Sequence, residues 1–106
     1  MEKAMASLLE FRDRRDWAQF HNPKDLAIAI STESSELLSE FLWKTPEQVN
    51  VENVKDEIAD VLSYCLLLCK YYALDPETII LEKVARNEIR YPVDKSKGSS
   101  KKYNEF

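Results

Sequence analysis

Glu33-Ser34-Ser35-Glu36 and Glu57-Ile58-Ala59-Asp60 are two acidic segments, and each places two carboxylates three residues apart. On a helix, side chains at this spacing lie on the same face, one turn from each other. Each segment can therefore direct two carboxylates at one point, and two neighbouring helices can gather four. Four carboxylates in a protein interior repel one another and lose hydration, a cost that a cation or shared protons can offset. The segments predict a pair of helices that holds a cation.

The four acids, Glu33, Glu36, Glu57 and Asp60, offer only oxygen ligands. Such ligands suit Mg2+ or Mn2+, and Mg2+ often takes its remaining ligands from water and substrate phosphates. Zinc is disfavoured because nitrogen and sulfur ligands are lacking. Di-iron sites in helical bundles use Glu-x-x-His motifs, and the one histidine, His21, lies outside both segments. We therefore expect Mg2+, with Mn2+ as a substitute.

The composition is typical of a small helix-rich protein. Of the 106 residues, 44% are hydrophobic and 32% are charged, and Gly98 is the single glycine. One glycine excludes a glycine-rich phosphate loop, and one histidine leaves no credible Ser-His-Asp or Cys-His arrangement. The net charge of −4 disfavours a nucleic-acid partner.

No segment predicts a membrane or secretory role. The longest apolar stretch, residues 64–74, is too short to span a bilayer and is interrupted by Lys70. The N-terminus lacks the apolar core of a signal peptide. Cys65 and Cys69 lie four apart in an apolar run, where buried thiols are more common than a disulfide. We expect a cytoplasmic protein.

Capping signals divide the chain into four helices. Asn22-Pro23 and Asp75-Pro76 each place an N-cap before a proline at the first helical position. Thr45 to Gln48 fits a capping box. Together with apolar periodicity, these signals predict four helices. The first covers residues 1–19, the third covers 51–72 and the fourth covers 76–90. The second begins at residue 23, and its apolar stripe reaches residue 41.

Four amphipathic helices with short connections predict an all-α, four-helix antiparallel bundle. The four acids meet only if the C-terminal half of the second helix lies against the N-terminal half of the third. A chain of this size buries a modest core, so we expect a homo-oligomer. We assign residues 1–92 to one domain and residues 93–106 to a polar, flexible tail that contributes to the phosphate site.

Two further sets of residues are candidates for ligand contacts. Lys83, Asn87 and Arg90 fall within a narrow arc of the fourth helix. Alone they read as a charged helix flank, but beside a bound cation they suit phosphate groups. Trp17 and Trp43 are by default core or interface residues. Their functional role would be to stack on a nucleobase, which is worth about 1–3 kcal/mol per base.

The chain resembles the all-α nucleoside triphosphate pyrophosphohydrolases of the MazG type, and within them the dCTP pyrophosphatase branch. The acidic segments are typical of the larger group, and other matching segments are more specific. The matches are Arg15-Asp16-Trp17, Phe20-His21 with Pro23, Glu33 to Leu37, Phe41 to Lys44, Glu57 to Leu62 with Tyr64, Asn87 with Arg90-Tyr91-Pro92, Gly98-Ser99 and Lys102-Tyr103. The chain departs from the vertebrate branch at Leu8, since those relatives carry a histidine at this position of the pocket.

The resemblance implies hydrolysis of deoxynucleoside triphosphates, dCTP leading, to the monophosphate and pyrophosphate. It implies Mg2+ bound by the four acids, and we expect Glu36 or Glu57 to act on the attacking water. It further implies a base pocket formed by Trp17, His21, Trp43 and Tyr64. It also implies phosphate contacts from Lys83, Asn87, Arg90 and Lys102. Family members of this size form dimers or tetramers with sites built across subunits.

Two other functions fit the same helices. A non-catalytic module would bind nucleotide or protein without hydrolysis, and a regulator would use the acids for a structural cation. Stabilisation by nucleotide without product formation would mark the first. Stabilisation by metal alone, with indifference to nucleotides, would mark the second.

Overall fold

The computed structural model describes residues 1–105, and within that range every regular element is a helix. The helices are α1 (Glu2–Arg14), α2 (Pro23–Ser39), α3 (Val51–Tyr71), α4 (Pro76–Arg90) and the short α5 (Val93–Ser96). Single 3-10 turns occur at Ala18–Phe20, Pro46–Gln48 and Tyr103–Glu105. The predicted all-α class is confirmed. Phe106, the last residue of the predicted tail, lies outside the described residues.

The helices α2 and α4 begin where their capping signals predict. The Asn22 side chain accepts a hydrogen bond of 2.9 Å from the backbone N–H of Asp25. The Asp75 side chain accepts one, also of 2.9 Å, from the backbone N–H of Thr78. Both bonds satisfy N–H groups that have no partner inside a helix. The hydrogen bonds from Thr78 also lower the pKa of Asp75.

The predicted capping box opens a 3-10 turn and not α3 itself. The Gln48 side chain accepts a hydrogen bond of 2.8 Å from the backbone N–H of Thr45. The cap of α3 is Asn50, whose side-chain oxygen accepts from the backbone N–H of Glu52 at 3.0 Å. A short irregular connection therefore separates the two acidic helices.

Two helices end earlier than predicted. α1 ends at Arg14 and not near residue 19, because Asp16 adopts a left-handed backbone with φ of 55°. α2 ends at Ser39, so Phe41 lies in the following turn and not on the helical stripe. Helices commonly end at a left-handed glycine, and neither of these ends carries one.

The described chain forms two compact units, Met1–Leu74 and the segment that begins at Asp75. In the first unit α2 packs along α3, as predicted, and α1 lies against α3. Its most buried side chains are Leu26 on α2 and Leu66 and Leu67 on α3, with 2%, 6% and 5% of their surface exposed. The predicted domain boundary at residue 92 stays a prediction.

In the second unit the end of the chain returns to the end of α4. The ring of Tyr103 lies 6.1 Å from the ring of Tyr91 in an edge-to-face arrangement, and the Arg90 guanidinium lies 5.0 Å over the Tyr103 ring. Within residues 1–105, none of the helices is both long and apolar enough to cross a bilayer. Cys65 and Cys69 are half-buried and are not joined in a disulfide.

Candidate functional site

The structure brings the predicted acids together across α2 and α3. Carboxylate oxygens of Glu33, Glu36 and Glu57 all lie within 4.8 Å of one another, a spacing at which they could hold a metal ion. Asp60 lies close enough for its charge to act on both Glu33 and Glu57. We call these four residues the acidic cluster.

The electrostatics of the acidic cluster show uncompensated negative charge. Burial raises the pKa of Glu33 from 4.5 to about 7, aided by a hydrogen bond to Glu36 and by the charges of Glu36, Asp60 and Glu57. The pKa of Glu57 is also raised, mainly by burial and to a smaller extent by the charges of Glu36, Asp60 and Glu40. Burial and nearby like charges favour the protonated form of such carboxylates, and a bound cation would favour the charged form.

Two buried oxygens in the acidic cluster have no protein donor. The Oε2 atoms of Glu33 and Glu57 are buried without a hydrogen-bond partner among residues 1–105. Buried polar atoms nearly always have a partner, and its lack in a native protein needs an explanation such as an ion. An all-oxygen donor set of this kind fits a divalent cation such as Mg2+.

Glu40, which the sequence analysis did not single out, is a fifth acid at this site. The charge of Glu40 contributes to the raised pKa of Glu57. The pKa of Glu33 is raised more by the charge of Asp60 than by that of Glu57. The residue that caps α2 therefore lies near Glu57 of α3. The four-residue spacing from Glu36 was the available signal.

A cavity of about 310 Å3 lies beside the acidic cluster within the first unit. α1 and the turn after it form one side, and α3 forms the other. The lining residues are Leu8, Phe11, Arg12, Trp17, His21, Asp60, Ser63, Tyr64 and Leu67. Three predicted base-pocket residues, Trp17, His21 and Tyr64, thus line one cavity. Because Asp60 belongs to both groups, the cavity meets the acidic cluster.

The turn after α1 sets the position of Trp17. Asp16 takes the left-handed conformation, and the backbone N–H of Trp17 then donates back to the Arg12 carbonyl at 3.0 Å. The Trp17 ring meets the Phe11 ring edge to face, with centroids 5.7 Å apart. Such aromatic contacts stabilise one ring orientation. The early end of α1 is therefore what turns Trp17 into the cavity wall.

His21 presents an unsatisfied nitrogen at the cavity. Its Nδ1 atom is buried and has no hydrogen-bond partner in the described part of the chain. Burial lowers the pKa of His21, and the charge of Arg12 lowers it further. The imidazole is therefore neutral near pH 7, a form that can both donate and accept a hydrogen bond.

Trp43 is not among the residues that line this cavity. It follows the end of α2 with a left-handed φ of 60°, and 98% of its surface is exposed. An indole ring that makes no packing contact within its own chain is costly to leave in water. Its predicted place in a base pocket stays a prediction.

The predicted phosphate contacts all fall in the second unit. Lys83 and Arg90 on α4 are exposed, Asn87 between them is half-buried, and Lys102 is exposed next to Tyr103. The stacking of Arg90 on Tyr103 fixes the end of α4 beside the chain segment that carries Lys102. Their approach to a bound phosphate stays a prediction.

Several cavity residues were missed from the sequence, and helical spacing was the available signal. On α3, Asp60, Tyr64 and Leu67 continue one helical face in steps of four and three residues, and Ser63 lies beside them. On α1, Leu8, Phe11 and Arg12 lie within one turn. The resemblance already placed Leu8 in the pocket, whereas Phe11 and Arg12 could not be assigned without knowing that α1 packs against α3.

The model of the MazG-like family matches residues 28–106 of the chain. The chain belongs to the MazG-like family. This MazG-like chain is 35% identical to human dCTP pyrophosphatase 1 over 105 residues, which cover 92% of the chain and 62% of the human protein. The bovine dCTP pyrophosphatase 1 shows the same identity and coverage. The chain thus spans less than two thirds of these relatives.

A solved structure agrees with the MazG-like fold. The crystal structure of a pyrophosphatase from Archaeoglobus fulgidus is 40% identical and superposes with a TM-score of 0.81. The superposition covers 87% of this chain and 92% of the archaeal chain. At this identity the two chains share both fold and ancestry.

Proposed function

We propose that this protein is a Mg2+-dependent nucleoside triphosphate pyrophosphohydrolase. It would hydrolyse deoxynucleoside triphosphates, with dCTP as the leading substrate, to the monophosphate and pyrophosphate, and so remove unwanted nucleotides from the cellular pool. The observation that carries the proposal is the place of Asp60 in both the acidic cluster and the wall of the aromatic cavity. The names of the mammalian and archaeal relatives support it.

The acidic cluster supplies the chemistry. An ion held there would supply positive charge to offset the negative charge of the triphosphate. Glu33, Glu36, Glu57 and Asp60 would hold the ion. Glu33 and Glu57 each bury an oxygen without a hydrogen-bond partner among residues 1–105, and oxygens of Glu33, Glu36 and Glu57 lie within 4.8 Å of one another. Glu36 or Glu57 would orient the attacking water or accept its proton.

The cavity supplies substrate binding. Trp17 and Tyr64 would provide aromatic faces for the base, and the neutral His21 would offer a hydrogen bond. The triphosphate would then extend past Asp60 to the acidic cluster. Lys83, Asn87, Arg90 and Lys102 would contact the phosphates, which donor and cationic side chains stabilise.

We also propose that the protein works as a homodimer or homotetramer, and that Trp43 completes the base pocket of a neighbouring subunit. Large apolar side chains are exposed in each unit, among them Leu38, Leu42 and Trp43 in the first and Ile80, Leu81 and Ile89 in the second. Contiguous exposed apolar side chains mark association surfaces. We propose a cytoplasmic location, which accords with a nucleotide substrate.

Product identification tests the activity. Purified protein is incubated with dCTP and Mg2+, and the products are separated by anion-exchange chromatography. We expect dCMP and pyrophosphate, with no turnover in chelator. Release of orthophosphate, or thermal stabilisation by dCTP without any product, would reject the proposal, and the second outcome would identify a binding module. A panel of all common deoxy- and ribonucleoside triphosphates then ranks the substrates.

A further inference from the structure

Arg12 places a guanidinium in the wall of the aromatic cavity. Only 20% of its side-chain surface is exposed, whereas the side chain of Arg14, two residues later on α1, is 76% exposed. The two arginines share a helix, so their difference comes from the face that each occupies. Arg12 lies on the face that packs toward α3, and Arg14 lies on the solvent face.

One edge of the Arg12 guanidinium is already in use. Its Nε atom donates to Asp13 Oδ1 at 2.8 Å, and Nη2 lies 2.8 Å from the same oxygen. This ion pair holds the guanidinium plane in one orientation. Nη1 has no acceptor among residues 1–105. The Nη1 and Nη2 end of the fork therefore retains donors for a ligand.

Arg12 lies in the part of the cavity that suits a base. The charge of Arg12 acts on His21, where it adds to the effect of burial in lowering the pKa. Phe11 and Trp17 form adjoining aromatic wall, and the backbone carbonyl of Arg12 accepts from the Trp17 N–H. Arg12 is thus built into the aromatic end of the cavity.

We propose that Arg12 is a specificity-determining residue that recognises two adjacent hydrogen-bond acceptors on the substrate base, O2 and N3 in the case of cytosine. This inference rests on the proposed function of the same site. A guanidinium fork matches paired acceptors, as in its contact with O6 and N7 of guanine. Uracil and thymine carry a proton on N3, so the second donor of Arg12 meets a donor. On the Watson–Crick edge of adenine, the acceptor N1 lies beside the amino group on C6, so this edge offers no pair of adjacent acceptors.

Four proteins test the inference: the unaltered enzyme, Arg12→Ala, Arg12→Lys and the matched control Arg14→Ala. The value of kcat/KM is measured for dCTP and for dUTP with Mg2+, after circular dichroism has shown unchanged helicity. We expect the unaltered enzyme to prefer dCTP. Both Arg12 variants should lose about 5- to 150-fold of that preference, the range that one bidentate guanidinium–base pair provides. Arg14→Ala should keep it.

Three results would overturn the inference. The first is an unaltered enzyme that does not distinguish dCTP from dUTP. The second is an equal loss for both substrates in Arg12→Ala, which would show a phosphate contact or a structural role. The third is full retention of the preference in Arg12→Lys, because a lysine supplies a point charge without a fork.

A failure of the proposed function can be told apart from a failure of this inference. If the unaltered protein hydrolyses neither nucleotide, the enzymatic proposal falls, and the base preference is then measured by calorimetric binding of dCMP and dUMP. A preference for dCMP that disappears in both Arg12 variants supports the inference. Absence of that preference, or its survival in the variants, overturns it.

Discussion

Glu33 on α2 and Glu57 on α3 each bury one carboxylate oxygen, Oε2, without a hydrogen-bond partner in the described chain. The two helices thus meet at a point where negative charge exceeds the donors available to it. Such a junction weakens the protein unless a proton or a cation occupies it. The four acids should destabilise the folded protein when they are charged and no cation is bound, and they should stabilise it when a cation is bound. The site can therefore be tested by measuring stability as well as activity.

The first prediction concerns pH. The pKa of Glu33 rises from 4.5 to about 7 on folding, so the folded state binds more protons than the unfolded state within that window. The contribution of Glu33 to stability should therefore fall as pH increases through the window, and the full penalty should be present above it. The measurement is the melting temperature in chelator at a series of pH values. Other groups titrate nearby, so the quantity compared is the difference between the unaltered protein and Glu33→Gln. That difference should grow in favour of the variant toward pH 7, and Mg2+ should reverse it; a constant difference would contradict the assignment.

The second prediction concerns Glu57. Replacement by Gln removes the negative charge of a proposed metal ligand at nearly constant volume, so kcat should fall by about 100-fold or more while helicity is retained. The matched control is Glu52→Gln in the first turn of the same helix, where Glu52 is exposed and pairs with Lys55 at 3.4 Å. This control should keep its activity. Unchanged turnover in Glu57→Gln would remove this residue from the site.

The third prediction concerns Trp43. Asn tolerates the left-handed backbone found at this position, so Trp43→Asn removes the ring without backbone strain. We expect sedimentation to show smaller species at a given concentration and KM for dCTP to rise about 5- to 150-fold, the value of one stacked base. Trp43→Phe keeps an aromatic face and should retain most of both properties. A variant with unaltered assembly and KM would show that the exposed indole serves neither.

The fourth prediction concerns the cap of α2. Asn22→Ala removes the acceptor for the Asp25 N–H and should cost about 1 kcal/mol, which lowers the melting temperature by about 4–8 °C. Asn22→Ser keeps a side-chain acceptor and should melt close to the unaltered protein. Equal melting of the Ala variant would mean that tertiary packing alone defines the start of α2.

The parts of the fold that the sequence predicts are local ones. An N-cap and a proline act within one turn, so Asn22-Pro23 and Asp75-Pro76 mark their helices directly. Acids three residues apart share a helical face, so the composition of the acidic cluster follows from spacing once two helices pair. The helix ends at Arg14 and Ser39 could not be predicted from a C-terminal glycine, because non-glycine residues turn the chain after both helices.

The parts that escaped prediction depend on which helices touch. Arg12 sits in a run of charged residues and reads as solvent-exposed, yet contact between α1 and α3 places it in a cavity wall. Glu40 is separated from the acidic segments by only one turn, but its relation to Glu57 exists only across two antiparallel helices. The short helix α5 lies within residues 93–106, the segment predicted to be a polar, flexible tail.

Asp60, common to the acidic cluster and the cavity, gives inhibitor design a single anchoring point. A compound with a flat heterocycle for the cavity and a chelating head group could engage both regions through one short linker. If Asp60 is a ligand of the proposed ion, a replacement of Asp60 that weakens binding of the compound would also weaken the metal site.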